Sequence, residues 1–413
     1  MTLVLRNANV WVGDGSVLER HDVVISDGHI AEVRPAGPTG DDEAIDCDRR
    51  WVMPGLIDCH MHFFGARSPD PVYWSLDSPV RAALRASADA RRVLAAGFTT
   101  IRDAGSRVGV ALQEAIDEDE VVGPHVYPAH LGISRTGGHG DVHSLPLEWV
   151  RDKPFMALVA DGPDECRRAV RTIARSGAKW VKIWATGGVL SERDDPRHSH
   201  LTPEELAVIV SEAHAVGLTV GAHCEGLDAT KDCIEAGVDT IEHGFYLDEE
   251  ACEAMVRKDI PLVTTLAFLH RTAENRGGEV PQYAIDKANE ILADAVISVR
   301  MAYEAGVAIA MGTDTFAEPL TPFGLNAEEL VYLTQAGVSN DDALRAGTSV
   351  AARIVNAADR IGLVDAGREA DLIVLADGSP VDDVANAVGA ERISHVIKGG
   401  VVVAGAEQQR RTA

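Results

Sequence analysis

Two histidines stand two residues apart at the end of an apolar run. His60 and His62 follow residues 52–57, whose composition predicts a buried strand. Because side chains alternate along an extended chain, both imidazoles lie on the same face, where they can share one cation. A His-x-His pair alone is equally compatible with two surface histidines. The apolar strand before it favours the interpretation as a metal site.

A lysine interrupts another apolar run. Lys182 lies in residues 180–184, which are otherwise suited to burial on both faces. An unpaired ammonium would be costly there, so the lysine is either salt-bridged, extended toward solvent, or functional. The functional hypothesis is that its neutral amine captures carbon dioxide. The resulting carbamate is an anionic oxygen ligand that can bridge two ions.

Three more ligand-type residues follow later apolar runs. They are His223, His243 and Asp314. Each alone could be a core histidine or a capping aspartate. However, the carboxyl ends of the strands of a parallel barrel converge on one face, so residues distant in sequence become neighbours there. Ligand-type residues at five separate strand ends therefore predict a metal centre on that face.

The elements that must position these residues alternate regularly. Apolar runs alternate with amphipathic stretches, which is typical of parallel strands with crossover helices. Glycines such as Gly237 and Gly306 precede strands, where they can end a helix in a left-handed conformation. The pattern predicts an α/β fold with a (β/α)₈ TIM barrel, whose eight strands are 51–59, 98–103, 125–130, 180–184, 218–224, 238–242, 261–265 and 307–312.

The two ends of the chain differ from the middle. Both are rich in predicted strands, without helices among them, and chain ends often lie close together. We expect one small β-sandwich domain built from both termini. The predicted limits are residues 1–54 and 363–413 for this domain and 55–362 for the barrel.

Length and charge narrow the function classes. The 413 residues fit one barrel plus a small domain, and the first strand-like residues show no signal-peptide pattern, so we expect a soluble, cytoplasmic protein. The formal charge of -26 disfavours nucleic acid and membrane as partners. The six cysteines contain no Cys-x-x-Cys pair and are expected to be reduced. A homo-oligomer is expected.

Together these motifs strongly resemble the amidohydrolase superfamily. Further motifs that carry the resemblance are residues 54–58 before His-x-His, 312–314, 367–372 and 397–400. The resemblance implies that His60, His62 and Asp314 bind one divalent ion, that His223 and His243 bind a second, and that carbamylated Lys182 bridges them. Zinc suits these ligands first, although manganese, cobalt and iron also fit.

The same resemblance implies a mechanism. A metal can lower the pKa of bound water to roughly 7, which supplies hydroxide at neutral pH. Asp314 is expected to take the water proton and return it to the leaving nitrogen, while the second ion polarises the carbonyl. His139, in the glycine-rich segment 136–141, is a candidate oxyanion donor, although a plain turn would also explain this segment.

Segments 136–141 and 186–191 are similar to a metal-dependent dipeptidase branch that includes prolidase-like enzymes and ochratoxin-type amidases. We therefore expect a small-molecule substrate, either a dipeptide or an N-acyl amino acid. Some members of that branch carry tyrosine where this chain has Glu225, which leaves the exact substrate open. A substrate carboxylate could be bound by charged residues in loop 191–200 or after the seventh strand, or these could simply be solvated; they are Arg193, Arg197, His198, His200, His270 and Arg271.

Other functions compete with an amidase. A urea, carbamate, lactone or cyclic amide could be cut by the same metals. Imidazolonepropionase-type enzymes are also similar, but Lys182 favours two ions over their one. A non-catalytic barrel scaffold would be expected to lose ligand positions, and all six are filled here. Cys224 beside His223 faces the other side of its strand and is expected to be a buried thiol.

Overall fold

The computed structural model describes residues 2–37 and 43–405. Residues 1, 38–42 and 406–413 of the predicted terminal domain lie outside the described residues. The strands are β1 (Thr2–Trp11), β2 (Val17–Ser26), β3 (His29–Pro35), β4 (Glu43–Asp46), β5 (Trp51–Pro54), β6 (Leu56–Ala66), β7 (Phe98–Asp103), β8 (His125–Pro128), β9 (Gly132–Ser134), β10 (Ala157–Val159), β11 (Trp180–Trp184), β12 (Thr219–Cys224), β13 (Thr240–His243), β14 (Leu262–Thr264), β15 (Ile309–Met311), β16 (Thr315–Ala317), β17 (Leu372–Leu375), β18 (Ile393–Lys398) and β19 (Val401–Gly405).

The helices lie mainly between the strands of the middle section. They are α1 (Pro71–Leu76), α2 (Pro79–Ala95), α3 (Gly109–Asp117), α4 (Leu147–Asp152), α5 (Pro163–Arg175), α6 (Pro203–Ala215), α7 (Leu227–Ala236), α8 (Glu249–Lys258), α9 (Leu266–Ala273), α10 (Gln282–Ala305), α11 (Glu328–Gln335), α12 (Asn340–Ala346) and α13 (Ser349–Ile354). None of the helices in the described part of the chain is long and apolar enough to cross a bilayer.

Strands from both ends of the chain form one sheet. Its eight strands run in the order β19-β18-β17-β5-β1-β2-β3, with β4 also paired to β1. The junction between the two ends is the antiparallel pair β5 and β17, in which Met53 lies opposite Ile373. Val23 and Ile25 from one end of this sheet share a buried apolar core with Leu372 and Ile397 from the other. The sheet therefore curls around its own core.

The middle section contains two parallel sheets. One has seven strands in the order β10-β9-β11-β12-β13-β14-β15, and the other has four in the order β16-β6-β7-β8. Their edges are joined by backbone hydrogen bonds, from Asp314 N to His60 O at 2.7 Å and from Lys179 N to Pro128 O at 2.8 Å. The carboxyl ends of these strands therefore open onto a common face.

Local sequence explains how the helices begin and end. Helix α6 starts with a capping box, in which the Thr202 side chain accepts from the Glu205 amide while the Glu205 carboxylate accepts from the Thr202 amide. Helices α7 and α10 end at Gly237 and Gly306, which have φ of 84° and 86°. The prediction of left-handed glycines at these helix ends is confirmed.

Two predictions about the elements are wrong. Residues 51–59 are not one strand, because the chain breaks at Gly55, whose amide donates to Asp371 O. Residues before the break pair in the terminal sheet as β5, and those after it pair with β7 as β6. The C-terminal flank also contains two short 3₁₀ helices, Val384–Ala387 and Ala390–Arg392, where only strands were expected. All six cysteines are free and buried, and Cys224 is the buried thiol that the sequence predicts.

Candidate active site

Residues from distant strands meet at the carboxyl ends of the parallel sheets. His60 and His62 lie in the middle of β6, Lys182 lies in β11, and Asp314 follows β15. Lys182 Nζ lies 3.1 Å from His60 Nε2. Asp314 Oδ1 lies 3.1 Å from His62 Nε2 and 3.8 Å from His60 Nε2. These four side chains therefore form one compact cluster.

His223 and His243 complete the cluster. They lie at the ends of β12 and β13, and their ring centroids are 4.5 Å apart. The His243 ring also lies 4.7 Å from that of His60. Ligand atoms of His60, His243 and Asp314 all lie within 4.8 Å of one another. The structure thus brings together all six residues that the sequence suggested as ligands.

Hydrogen bonds orient the two histidines of β6. His60 Nδ1 lies 2.8 Å from Glu242 Oε2, and His62 Nδ1 lies 2.8 Å from the carbonyl oxygen of Gly105. Both partners are acceptors, so each imidazole holds its proton on Nδ1 and presents the Nε2 lone pair to the cluster. This is the arrangement found around metal-ligating histidines.

Hydrogen bonds also orient the other two histidines. His243 Nδ1 lies 2.7 Å from Thr265 Oγ1, which leaves its Nε2 toward the cluster. His223 uses the opposite nitrogen, because its Nε2 lies 2.9 Å from the carbonyl oxygen of Gly187. Its Nδ1 is then the nitrogen available to a ligand. The donor set therefore fits a divalent cation, with four imidazoles, one carboxylate and one lysine.

Burial controls ionisation in the cluster. It lowers the pKa of His60, His223 and His243 well below the ordinary value, which keeps these imidazoles neutral. It also lowers the pKa of Lys182 to about 8, which raises the share of neutral amine. Burial opposes ionisation of Asp314, but the neighbouring His62, His60 and Lys182 side chains stabilise the carboxylate and bring its pKa to about 2.

The backbone is strained at two of these positions. His243 and Asp314 have φ of 73° and 49°, a region that residues other than glycine rarely occupy. Such conformations persist where the surroundings impose them, and they concentrate at functional sites. Here the amide of Asp314 donates to His60 O, and the following Gly244 donates to Cys224 O. The strain therefore aims both side chains into the cluster.

Asp58 is a buried support that the sequence did not single out. Its carboxylate accepts from the amide of His60, from the amide and hydroxyl of Thr313, and from the Asn326 side chain. Burial raises the pKa of Asp58 to about 6, although these hydrogen bonds oppose the shift. Asp58 joins the start of β6 to the turn that carries Asp314.

Glu242 is a second support. Besides His60, it accepts from Arg102 Nη1 at 2.8 Å and from Thr240 Oγ1 at 2.5 Å. The Arg102 guanidinium lies 3.4 Å from the centre of the Trp180 ring. Sequence analysis missed both charged residues, because their strands also contain threonine and other polar residues, so that a charge is less conspicuous there than Lys182 is in its apolar strand. The Glu242 and Arg102 pair fixes the orientation of His60.

Replacing Glu242 with glutamine should weaken metal binding. The amide cannot accept fully from both Arg102 and His60, so His60 loses its fixed tautomer and a buried guanidinium loses its counter-charge. We expect metal affinity to fall about 10- to 100-fold and stability to fall by about 2 to 4 kcal/mol. Competition with a chelator and thermal unfolding measure these effects. The exposed Glu253→Gln is the control, and equal metal affinity in both variants would contradict this role.

His139 lies beside the cluster and is held on three sides. Its ring stacks on His223 with centroids 4.7 Å apart, and the backbone of Gly188 lies so close that a Cβ there would strike the ring. Its Nδ1 lies 2.6 Å from Ser191 Oγ, which in turn lies 2.6 Å from both carboxylate oxygens of Asp194.

This contact chain defines the tautomer of His139. A carboxylate only accepts, so Ser191 donates to Asp194 and accepts from His139 Nδ1. Burial lowers the pKa of His139 to about 4, so the ring is neutral near pH 7 and Nε2 carries a lone pair. An oxyanion donor needs a proton on Nε2. The geometry therefore favours an acceptor at this position.

A cavity of about 280 Å³ lies over the cluster. Its wall is mostly apolar, with Trp74 stacked on Phe64 at 4.9 Å and inclined to Phe316 at 5.4 Å. All six cluster residues and His139 line it, together with further apolar and polar side chains that include Asp70, Asp141, Val142, His143, Met156, Trp184, Leu190, Glu192 and Tyr283.

Several residues suggested by sequence lie away from this cavity. Arg197 is exposed and pairs with Asp195 and Glu290. The His270 ring stacks on Tyr332. Arg193, His198, His200 and Arg271 do not line the cavity either, among the residues described there. The solvated or structural interpretation therefore fits these residues better than carboxylate binding.

Loop 191–200 instead has a structural anchor. Lys287 Nζ donates to the carbonyl oxygens of Gly188, Ser191 and Asp194 at 2.6 to 3.0 Å. Glu225 is buried behind this loop, with Oε1 3.6 Å from His223 Nε2. Burial raises its pKa well above the ordinary carboxyl value. Glu225 thus lies behind His223 and outside the cavity wall.

Comparisons with known proteins identify the family of this chain. The model of the amidohydrolase family matches residues 51–403. Ochratoxinase from Aspergillus niger is 34% identical over 417 residues, covering 95% of this chain and 85% of that protein. Imidazolonepropionase from Xanthomonas axonopodis pv. citri is 26% identical over 410 residues, covering 90% and 89%.

Solved structures give the same result. A prolidase complexed with N-methylphosphonate-L-proline superposes with a TM-score of 0.90 at 32% identity, over 98% of this chain and 99% of that one. A Xaa-Pro dipeptidase with bound methionine has a TM-score of 0.89 at 29% identity, over 98% and 100%. Members of the family are generally metal-dependent. The chain therefore belongs to the amidohydrolase family and is a hydrolase of amide or peptide carbon–nitrogen bonds.

Proposed function

We propose that this enzyme uses two divalent ions to hydrolyse an amide bond in a dipeptide or an N-acyl amino acid. The observation that carries the proposal is the cluster itself. Four imidazoles, one carboxylate and one buried lysine face one another at the base of a single cavity. The relatives named prolidase, Xaa-Pro dipeptidase and ochratoxinase support an amide substrate.

We also propose that the two parallel sheets form one (β/α)₈ barrel. The hydrogen bonds between β6 and the turn after β15, and between β8 and the start of β11, support closure. In this interpretation the barrel spans residues 55–362, and residues 1–54 and 363–413 form the β-sandwich domain. The described part of that domain is the curled terminal sheet.

The residues divide between the two ions as the resemblance implied. His60, His62 and Asp314 would hold one ion, His223 and His243 the other, and Lys182 would bridge them as a carbamate. Zinc suits these nitrogen and oxygen ligands first. When bound, the ions supply Lewis acidity and lower the pKa of water to roughly 7.

The side chains then perform the remaining steps. Asp314 keeps 18% of its side-chain surface exposed and lines the cavity, so its carboxylate can reach a water molecule there. We propose that Asp314 accepts a proton from the attacking water and then donates it to the leaving nitrogen. His139 Nε2 would accept a hydrogen bond from the substrate, in place of the oxyanion donor role expected from sequence.

The cavity wall favours an apolar acyl group. Trp74, Phe64 and Phe316 offer aromatic surface next to the cluster. Apart from Lys182, no lysine or arginine lines the cavity among the described residues. His143 is a candidate for a polar group of the substrate, because its Nε2 contacts Gly138 O while its buried Nδ1 has no partner among the described residues.

A hydrolysis screen with metal analysis tests this function. We expect about two metal ions per chain and cleavage of N-acyl amino acids or dipeptides, with aromatic acyl groups favoured over acidic ones of similar size. Trp74→Ala should remove much of that preference, raising KM for the aromatic substrate about 10-fold. The exposed Trp149→Ala is the matched control. Two ions without amide cleavage, but with turnover of ureas, carbamates or lactones, would contradict the proposed substrate class.

A further inference from the structure

A second group of metal-ligand side chains lies at the opposite ends of the barrel strands. His125 is the first residue of β8, so it lies at the amino end of a strand whose carboxyl end faces the active site. Glu369 and Asp371 come from the segment that returns to the terminal sheet just before β17. Ligand atoms of the three residues lie within 4.8 Å of one another.

The free atoms of this group converge. His125 Nε2 lies 3.3 Å from Asp371 Oδ2 and 3.8 Å from Glu369 Oε2. Asp371 is only 4% exposed, and neither its Oδ2 nor His125 Nε2 has a hydrogen-bond partner among the described residues. Leaving buried polar atoms unpaired is costly, so two that point at each other need an explanation.

Each carboxylate is already fixed through its other oxygen. The amide of Gly399 donates to Asp371 Oδ1 at 2.8 Å. Arg360 Nη1 lies 3.2 Å from Glu369 Oε1. One oxygen of each carboxylate is thereby oriented, and the other is left toward the imidazole. Carboxylates that bind a metal ion are typically oriented by hydrogen bonds from neighbouring groups, as these two are through one oxygen each.

The spacing matches that of zinc ligands. Bonds of 2.0–2.2 Å from zinc to nitrogen or oxygen place neighbouring tetrahedral ligands about 3.4 Å apart. We propose that His125, Glu369 and Asp371 bind a third divalent cation, zinc by preference, with water in the fourth position. A neutral imidazole and two carboxylates balance the charge of one such ion.

The position of the site suggests a structural role. His125 belongs to a barrel strand, whereas the two carboxylates belong to the segment that enters the terminal sheet. An ion here would cross-link the two parts of the molecule. Two cations lie nearby and limit its affinity: Arg360 on Glu369, and Lys398, which interacts electrostatically with Asp371. The bound ion should therefore be easier to remove than the two proposed active-site ions.

Zinc counting on the full chain tests the proposal. The protein is stripped with a chelator, reloaded with zinc and measured by elemental analysis and thermal unfolding. His125→Ala and Glu369→Gln should each bind about one zinc fewer per chain than the unaltered protein. Their Tm should also rise less when zinc is added, because binding to the folded state stabilises it.

A matched control is available in His214, an exposed histidine whose Nε2 lies 2.8 Å from Asp239 Oδ2. His214→Ala should keep the zinc content of the unaltered protein. Equal zinc content in the unaltered protein, His125→Ala and Glu369→Gln would overturn the proposal and leave His125 as an ordinary ion-pair partner. Repeating the zinc count in a Lys182→Ala background separates the two sites. The loss of zinc caused by His125→Ala should persist there, although the active-site ions are already absent.

Discussion

Lys182→Ala should lose its active-site ions and its activity together. The lysine lies 3.1 Å from His60 Nε2 and is buried at the base of the cavity. Without it, the two proposed ions would lose the ligand that they share. We expect kcat/KM to fall by at least about 10³-fold, because the loss removes charge stabilisation at the reacting centre. Elemental analysis and steady-state kinetics measure both losses.

Small carboxylates offer a specific check of the carbamate. Alanine leaves a space that acetate or propionate can enter, and their oxygens can replace those of a carbamate. Part of the activity of Lys182→Ala should therefore return when these acids are added. Lys179→Ala, three residues earlier and exposed, is the control and should behave like the unaltered enzyme. Full metal content and full turnover in Lys182→Ala would show that the bridging role is wrong.

Asp314→Asn should lose turnover while keeping its fold. The amide has the shape of the carboxylate, and the backbone bond from residue 314 to His60 O does not depend on the side chain. It cannot take a proton, however, and general acid–base groups contribute about 10² to 10⁴-fold. We expect a loss of that size in kcat, with a smaller change in KM and a Tm within a few degrees of the unaltered enzyme.

The matched control for Asp314→Asn is Asp286→Asn, an exposed carboxylate that accepts a hydrogen bond from the Gln282 side chain. Substrates with better leaving groups refine the test. If Asp314 protonates the leaving nitrogen, its replacement should lower the turnover of an activated anilide less than that of an alkyl amide. Equal losses on both substrates would contradict the proton return and leave Asp314 as a ligand alone.

The positions of the cluster residues could be predicted because they break a pattern. Lys182 is a charge in an apolar strand, and His60 and His62 end one, so burial itself marks them as unusual. Parallel topology then places strand ends together, whatever their separation in sequence. Arg102 and Glu242 are also buried charges, but their strands contain other polar residues, so the same logic does not single them out. Their mutual contact also depends on the neighbouring strands and is not visible in either segment alone.

Other features depend on tertiary contacts that no local pattern contains. The break at Gly55 follows from the competing pairing of β5 with β17 and of β6 with β7, both of which bring in distant strands. The tautomer of His139 follows from Ser191 and Asp194, which a loop anchored by Lys287 carries to the ring. Sequence analysis placed loop 191–200 near the site, but it could not predict which residues the loop contacts.

The pairing of β5 with β17 has a consequence for synthesis of the chain. The first five strands leave the ribosome early, yet the sheet that they share with β17–β19 cannot close until more than 300 further residues have been made. At about 5–20 residues per second, this interval lasts roughly 15 s to one minute. During that time the edge of β5 that contains Val52 has no partner strand. It is therefore open to pairing with other chains. Ribosome-associated chaperones that shield this nascent edge should therefore raise the yield of native enzyme more than those acting after release.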